Sequence, residues 1–130
     1  MNEDILVVED NPANVKLVTF LLSKRGYAVR VATDAESALA EIETATPRLI
    51  LMDVQLPGQN GLELTRRLKS DPRFSHVPII AVTAFAMKGD AERAREAGCD
   101  DYVTKPIDTR ALANLVATYF ARPPQAAPGT

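Results

Sequence analysis

Three runs of the chain are apolar at every position: ILVV at residues 5–8, LILM at 49–52 and IIAV at 79–82. A strand with one wet face alternates apolar and polar residues. A strand without alternation is buried on both faces, which occurs where helices cover both sides of a mostly parallel sheet. The stretches between the runs fit, because they carry helical periodicity. Residues 14–24 place Val15, Val18, Leu21 and Leu22 on one face and stop at Gly26. Asp34 can cap a helix from residue 35, with Ala38, Leu39 and Ile42 inward. Residues 61–68 bring Leu62, Leu64 and Leu68 together. Residues 88–97 read as a charged surface helix ended by Gly98, and residues 109–120 as the last helix. Weaker strand signals lie at 28–31 and 101–103, and Pro78 opens the strand at 79. Five strand–helix units result, an α/β fold with right-handed connections.

The 130 residues suffice for one domain with its own core. Residues 1–121 read as that domain, and 122–130 (RPPQAAPGT) as a Pro/Ala-rich flexible tail. Cys99 is the single cysteine and His76 the single histidine, so neither an internal disulfide nor a Cys/His zinc site is available. The formal charge is -2 and no Lys/Arg run is present, which argues against nucleic-acid binding. The apolar runs are far shorter than the roughly 20 residues of a membrane span, and the start lacks a signal-like pattern. A cytoplasmic setting without membrane partners is expected. The first strand lies close to Met1, which favours an independent protein.

Open parallel sheets bind ligands beyond the carboxyl ends of their strands. Reading each strand at that end collects Glu9 and Asp10 after the first, Asp53 after the third, Thr83 after the fourth, and Thr104, Lys105 and Pro106 after the fifth. Taken singly, these are solvated loop acids, a cap and a surface lysine. Taken together, one geometry accounts for all of them. Crowded carboxylates repel. A lysine relieves part of that, and a hard divalent cation relieves more; an oxygen-only donor set suits Mg²⁺, with Mn²⁺ as a substitute. Such a site can join a carboxylate nucleophile to a phosphoryl group, which makes Asp53 a candidate for acyl phosphate formation. No GxxxxGK[ST] loop occurs, and VEDNPAN stands where a GxGxxG would follow the first strand. The phosphoryl group must then come from a small donor or another protein. His76, in SHVP ahead of the fourth strand, reads as structural, and Cys99 as a packed, inert thiol.

Four segments carry a resemblance: ILVVEDNPAN at 5–14, LILMDVQLPGQNGLEL at 49–64, PIIAVTAFA at 78–86 and GCDDYVTKPI at 98–107. Together they resemble the response-regulator receiver domains of two-component systems, over nearly the whole chain. Residues 81–107 are similar to single-domain regulators of the cell-cycle and cell-fate type, and to receivers attached to hybrid sensor kinases. The resemblance implies a flavodoxin-like, doubly wound (βα)5 three-layer sandwich with a parallel sheet in order 2-1-3-4-5. It implies Asp53 as phosphoacceptor, with Asp10 binding the metal directly, Glu9 mainly through water, and Gln55 through its backbone carbonyl. Lys105 would pair with the site carboxylates and then with a phosphoryl oxygen, next to a cis Pro106. Thr83 would hydrogen-bond the phosphoryl group, and Tyr102 would turn from outward to inward as Thr83 moves. Position 9 is Glu where Asp is commoner. Phe85, with Gln55, would flank the path of a hydrolytic water and slow loss of phosphate.

The implied function is a single-domain response regulator. It would accept phosphate from a sensor histidine kinase or histidine phosphotransfer protein docked near residues 11–18. It would catalyse its own phosphorylation and slow dephosphorylation without being a conventional enzyme. Its output would be phosphorylation-dependent protein binding through the helix 4–strand 5–helix 5 face, including Lys88, Asp90, Arg95, Tyr102 and Arg110. A monomer or a weak phosphorylation-dependent dimer is expected. Three alternatives stay open: a phosphotransfer intermediate or phosphate sink, the receiver segment of a hybrid histidine kinase, and an aspartyl-phosphate hydrolase of small substrates. The last usually carries its nucleophile after the first strand, with a second acid two residues on.

Overall fold

The computed structural model describes residues 4–56, 59–84 and 88–121. Its main sheet has strands β1 (Asp4–Val8), β2 (Ala28–Ala32), β3 (Leu49–Asp53), β4 (Ile79–Thr83) and β5 (Asp101–Thr104). Helices α1 (Pro12–Lys24), α2 (Ala35–Thr44), α3 (Gly61–Lys69), α4 (Lys88–Ala97) and α5 (Thr109–Ala121) follow them in turn. Every pairing in this sheet is parallel, in the order β2-β1-β3-β4-β5. This is the flavodoxin-like three-layer sandwich. Strand order reverses at β1, so the crevice at the carboxyl ends of β1 and β3 is where such a sheet exposes a site.

The unbroken apolar runs are explained by what covers them. Leu6, Ile50 and Ile79 face a core with Ala38, Ile42, Leu64 and Leu68 from α2 and α3. Ile5, Val7, Leu49, Leu51 and Ile80 face a second core with Val18 and Leu22 of α1 and Leu112 and Val116 of α5. The outer strands are less covered, and β2 keeps Arg30 in mid-strand. Arg30 grips Asp4 with Nη2 2.6 Å from Oδ2 and donates to the α2-end carbonyls of Glu41 (2.9 Å) and Ala45 (2.7 Å).

Helix starts are set by polar side chains. Asn11 accepts from the backbone N–H of Ala13 at 2.9 Å and Asn14 at 3.3 Å, with Pro12 in the first turn. Helix α1 therefore begins at Pro12 rather than at the expected residue 14. Asp34 and Ser37 form a reciprocal capping box at α2. Asn60 accepts from Leu62 N–H at 2.7 Å at the start of α3. Between β3 and α3, Gln55–Leu56 pairs antiparallel with Gln59–Asn60, a short ribbon that sequence periodicity does not announce.

Candidate active site

Strand register brings the polar residues to one rim. Val8 lies across from Met52, Met52 from Ala81 and Ala81 from Tyr102. Glu9 and Asp53 stand one step further along, Asp10 and Thr83 two steps, and Lys105 follows Thr104. Asp53 is 2% exposed and Glu9 3%, whereas Asp10 faces solvent. One carboxylate oxygen from each of the three lies within 4.8 Å of the others.

Each group is held from its own strand end. Asp53 Oδ1 accepts from the Gln55 N–H at 3.0 Å, and Glu9 Oε2 accepts from the Asn11 N–H at 3.1 Å. Lys105 Nζ stands 3.3 Å from Asp53 Oδ2 and 3.4 Å from Glu9 Oε1. The Lys105 N–H donates to the Thr83 carbonyl at 2.7 Å, tying the end of β5 to the end of β4. Thr83 is buried, and the Lys105–Pro106 bond is cis. Gly61 answers why glycine follows the Asp53 loop: a Cβ there would run into the Asp53 carbonyl oxygen, while the Gly61 N–H donates to Val54 O at 2.7 Å.

Electrostatics follow from this crowding. Burial first and neighbouring Glu9 second push the Asp53 carboxyl up to about 6, against the Gln55 N–H and the Lys105 ammonium. Among the described residues one lysine, paired with Glu9 and Asp53, stands against a cluster of three carboxylates, so the cluster is short of positive charge. The donors are all carboxylate oxygens, the set that a hard divalent cation takes. The residues present therefore fit a divalent metal.

Glu9, Asp10, Asp53 and Lys105 converge, with Thr83 on the adjoining strand end. Gln55 meets Asp53 through its N–H, and its side chain is exposed. Tyr102 is 37% exposed on β5, and Arg95 and Arg110 are exposed on α4 and α5. Phe85, the side chains of Lys88 and Asp90, and residues 122–130 lie outside the described residues. His76 precedes β4, at the end of the sheet opposite the site. Cys99 is buried, and burial pushes its thiol up to about 11, which leaves it unreactive.

Sequence reasoning missed a groove between α1 and the edge of β2, where Phe20 is 66% exposed. The signal was available: α1 carries apolar residues over more of its circumference than packing on one sheet face requires. Among the described residues, no helix is long and apolar enough to cross a membrane.

Comparison with known proteins agrees with this geometry. The family model described as response regulator receiver domain matches residues 5–117. The polar-differentiation response regulator DivK of Brucella ovis is 44% identical over 120 residues, 92% of this chain and 98% of the relative. A response regulator from Chloroflexus aurantiacus superposes with a TM-score of 0.89 at 31% identity, covering 94% of this chain and all of that one. The receiver domain of a Pseudomonas aeruginosa sensor histidine kinase gives 0.84 at 34% identity, covering 94% of this chain and 100% of its own, and has a magnesium ion coordinated in its active site cleft. The matched segment spans all five strands and every residue of the carboxylate rim, and the chain belongs to the response-regulator receiver family as a phospho-accepting, CheY-like domain of two-component or phosphorelay signalling.

Proposed function

We propose that Asp53 is the phosphoacceptor and that the chain signals by phosphorylation-dependent protein binding. The observation that carries this is the buried Asp53 at the end of β3, 3.3 Å from Lys105 and clustered with Glu9 and Asp10. A carboxylate oxygen of Asp53 attacks the phosphorus of a phosphohistidine. The O–P bond forms, the N–P bond breaks, and the donor imidazole departs. Lys105 pairs with a phosphoryl oxygen after transfer, and the Thr83 hydroxyl donates to another. Glu9, Asp10, Asp53 and the Gln55 carbonyl would hold Mg²⁺, or Mn²⁺ in its place. The ion supplies charge neutralisation for the transferring oxygens.

The donor is a histidine kinase or histidine phosphotransfer protein. Likeness to the receiver of a Pseudomonas sensor histidine kinase and to that of a Syntrophus aciditrophicus histidine kinase supports this class of partner. Output runs through α4, β5 and α5, where Tyr102, Arg95 and Arg110 are exposed. Gln55, and Phe85 by its place in the sequence, would modulate the hydrolysis that ends the signal.

Intact mass after incubation with acetyl phosphate and Mg²⁺ tests the reading. One phosphoryl-sized gain is expected, absent in Asp53→Asn and without metal, and decaying faster in Phe85→Ala. An equal gain in Asp53→Asn would overturn the assignment of the acceptor.

A further inference from the structure

Helix α1 has an apolar side that the fold does not use. Val18 and Leu22 turn inward and are buried. Ala13, Leu17, Phe20 and Lys24, at successive steps of four, three and four residues, all stay exposed. That alternation keeps side chains in one line along a helix and is the spacing of a helix–helix seam. Leu17 is 39% exposed and Phe20 66%, although the Lys24 ammonium lies 5.6 Å over the Phe20 ring centroid. Val31 on the neighbouring edge of β2 is 37% exposed, so three of the four large apolar side chains left in water among the described residues share this face. Phe20 also lines the groove of about 1010 Å³ between α1 and β2, which has Val31 as floor, so a helix laid on the seam covers the groove too. Large apolar groups gathered on one exposed face mark a surface that another protein covers.

Charge selects the occupant. The seam is acidic at its start, where Asp10 faces solvent, and basic at its end, where Lys24 does. A second copy of the chain laid antiparallel puts each Asp10 end against a Lys24 end and opposes the two helix dipoles. A parallel copy would put acid on acid and lysine on lysine. The spacing matches itself as well. About a two-fold axis between residues 18 and 19, Leu17 of one copy faces Phe20 of the other, and Ala13 faces Lys24. The large groups then meet at the centre, and a small side chain makes room for each long lysine. The two Lys16 residues are staggered by roughly 7 Å along the axis, which lets both ammonium groups point into water.

We propose that two copies of this chain associate through an antiparallel α1–α1 seam, with Leu17 and Phe20 at its centre and Asp10 and Lys24 closing its ends. The pairing needs no phosphoryl group and lies on a different face from α4, β5 and α5. A seam along a 13-residue helix is a small interface, so the dimer is weak and exchanges with monomer.

Sedimentation velocity over a concentration series, without phosphodonor or metal, tests the association. The parent should show a monomer–dimer equilibrium with a dissociation constant below about 1 mM. Leu17→Glu and Phe20→Glu should each raise that constant at least tenfold, with helical circular dichroism unchanged. Disulfide trapping tests the direction, in a Cys99→Ser background that removes the native thiol. An oxidised mixture of the single variants Ala13→Cys and Lys24→Cys should cross-link position 13 of one copy to position 24 of the other, and neither variant alone should cross-link comparably. A parent that stays monomeric throughout the series would overturn the proposal, as would a dimer that both glutamate variants leave intact. Cross-links joining only like positions would overturn the antiparallel order. The trapping keeps the proposal open to refutation even if a glutamate variant fails to fold.

Discussion

At the residue scale, the site works against the stability of the fold that holds it. Asp53 ionises at about 6 in the folded chain against 3.8 as an ordinary carboxyl, with burial as the main cause. Between these pH values the folded state keeps a proton that the unfolded state releases, so stability falls as pH rises from about 4 to about 6. Above that the full cost applies, at most about 3 kcal/mol. Asp53→Asn removes it. In metal-free buffer at pH 7.5 the variant should melt roughly 5–10 °C above the parent, and the difference should vanish below about pH 4. Mg²⁺ should stabilise the parent at pH 7.5 and do so much less at pH 4, where Asp53 is protonated. Thermal melts over this range, with and without Mg²⁺, check both statements. A parent that melts higher than the variant at pH 7.5 without metal would contradict the direction of the shift.

At the element scale, legibility follows burial. β1, β3 and β4 are buried at every position, so their runs are apolar without interruption and read directly as strands. β2 reads weakly because Arg30 sits in it, and the distant Asp4 and Glu41, with the Ala45 carbonyl, make that arginine acceptable. The start of α1 was misplaced because periodicity begins at the first inward apolar residue, whereas the helix begins at its cap, Asn11. The ribbon at 55–60 leaves no periodic trace, since two residues per strand are too few. Lys69 was equally illegible. It ends α3 as an ordinary-looking cation, yet its Nζ donates to Val77 O at 2.8 Å and Ser75 O at 3.3 Å and pairs with Asp100 at 2.9 Å. Asp100 also accepts from the Ile79 N–H at 2.8 Å, and the backbone at Gly98 passes so close that a Cβ would stand 2.8 Å from Lys69 Cγ. Lys69→Met keeps the stem and removes the ammonium, stranding two carbonyls and a carboxylate that are partly shielded from water. It should cost about 2–3 kcal/mol in denaturant unfolding, with acetyl phosphate labelling of Asp53 unaffected. A loss below about 0.5 kcal/mol would show that Lys69 contributes no more than a surface ion pair.

At the scale of the whole molecule, the two ends of the sheet divide the work. The amino ends of the strands carry the clamps of Arg30 and Lys69, which weld helices to the sheet. The carboxyl ends carry a buried, under-neutralised acid cluster. The rim residues were legible because each follows a readable strand, whereas the groove was not, since it depends on which flank of α1 meets the β2 edge. The path from site to surface is short. Thr83 pairs across from Thr104, the Lys105 N–H donates to Thr83 O, and Tyr102 lies two residues before Thr104 on the same strand. A phosphoryl group on Asp53 would add charge and acceptor oxygens beside Thr83, and a pull on its hydroxyl would be felt first along β5. Tyrosine-labelled NMR can follow this, because the other two tyrosines serve as internal references. Tyr27 stacks on Phe120 at 4.7 Å, and the Tyr119 hydroxyl donates to Asp100 O at 3.2 Å, both away from the rim. Phosphorylation of the parent should shift the Tyr102 signal and leave those of Tyr27 and Tyr119 nearly in place. Thr83→Ala should still gain the phosphoryl mass while its Tyr102 signal stays at the unphosphorylated position. If Tyr102 moves equally in both proteins, the threonine hydroxyl is not the link, and the added charge alone reaches β5 through Lys105.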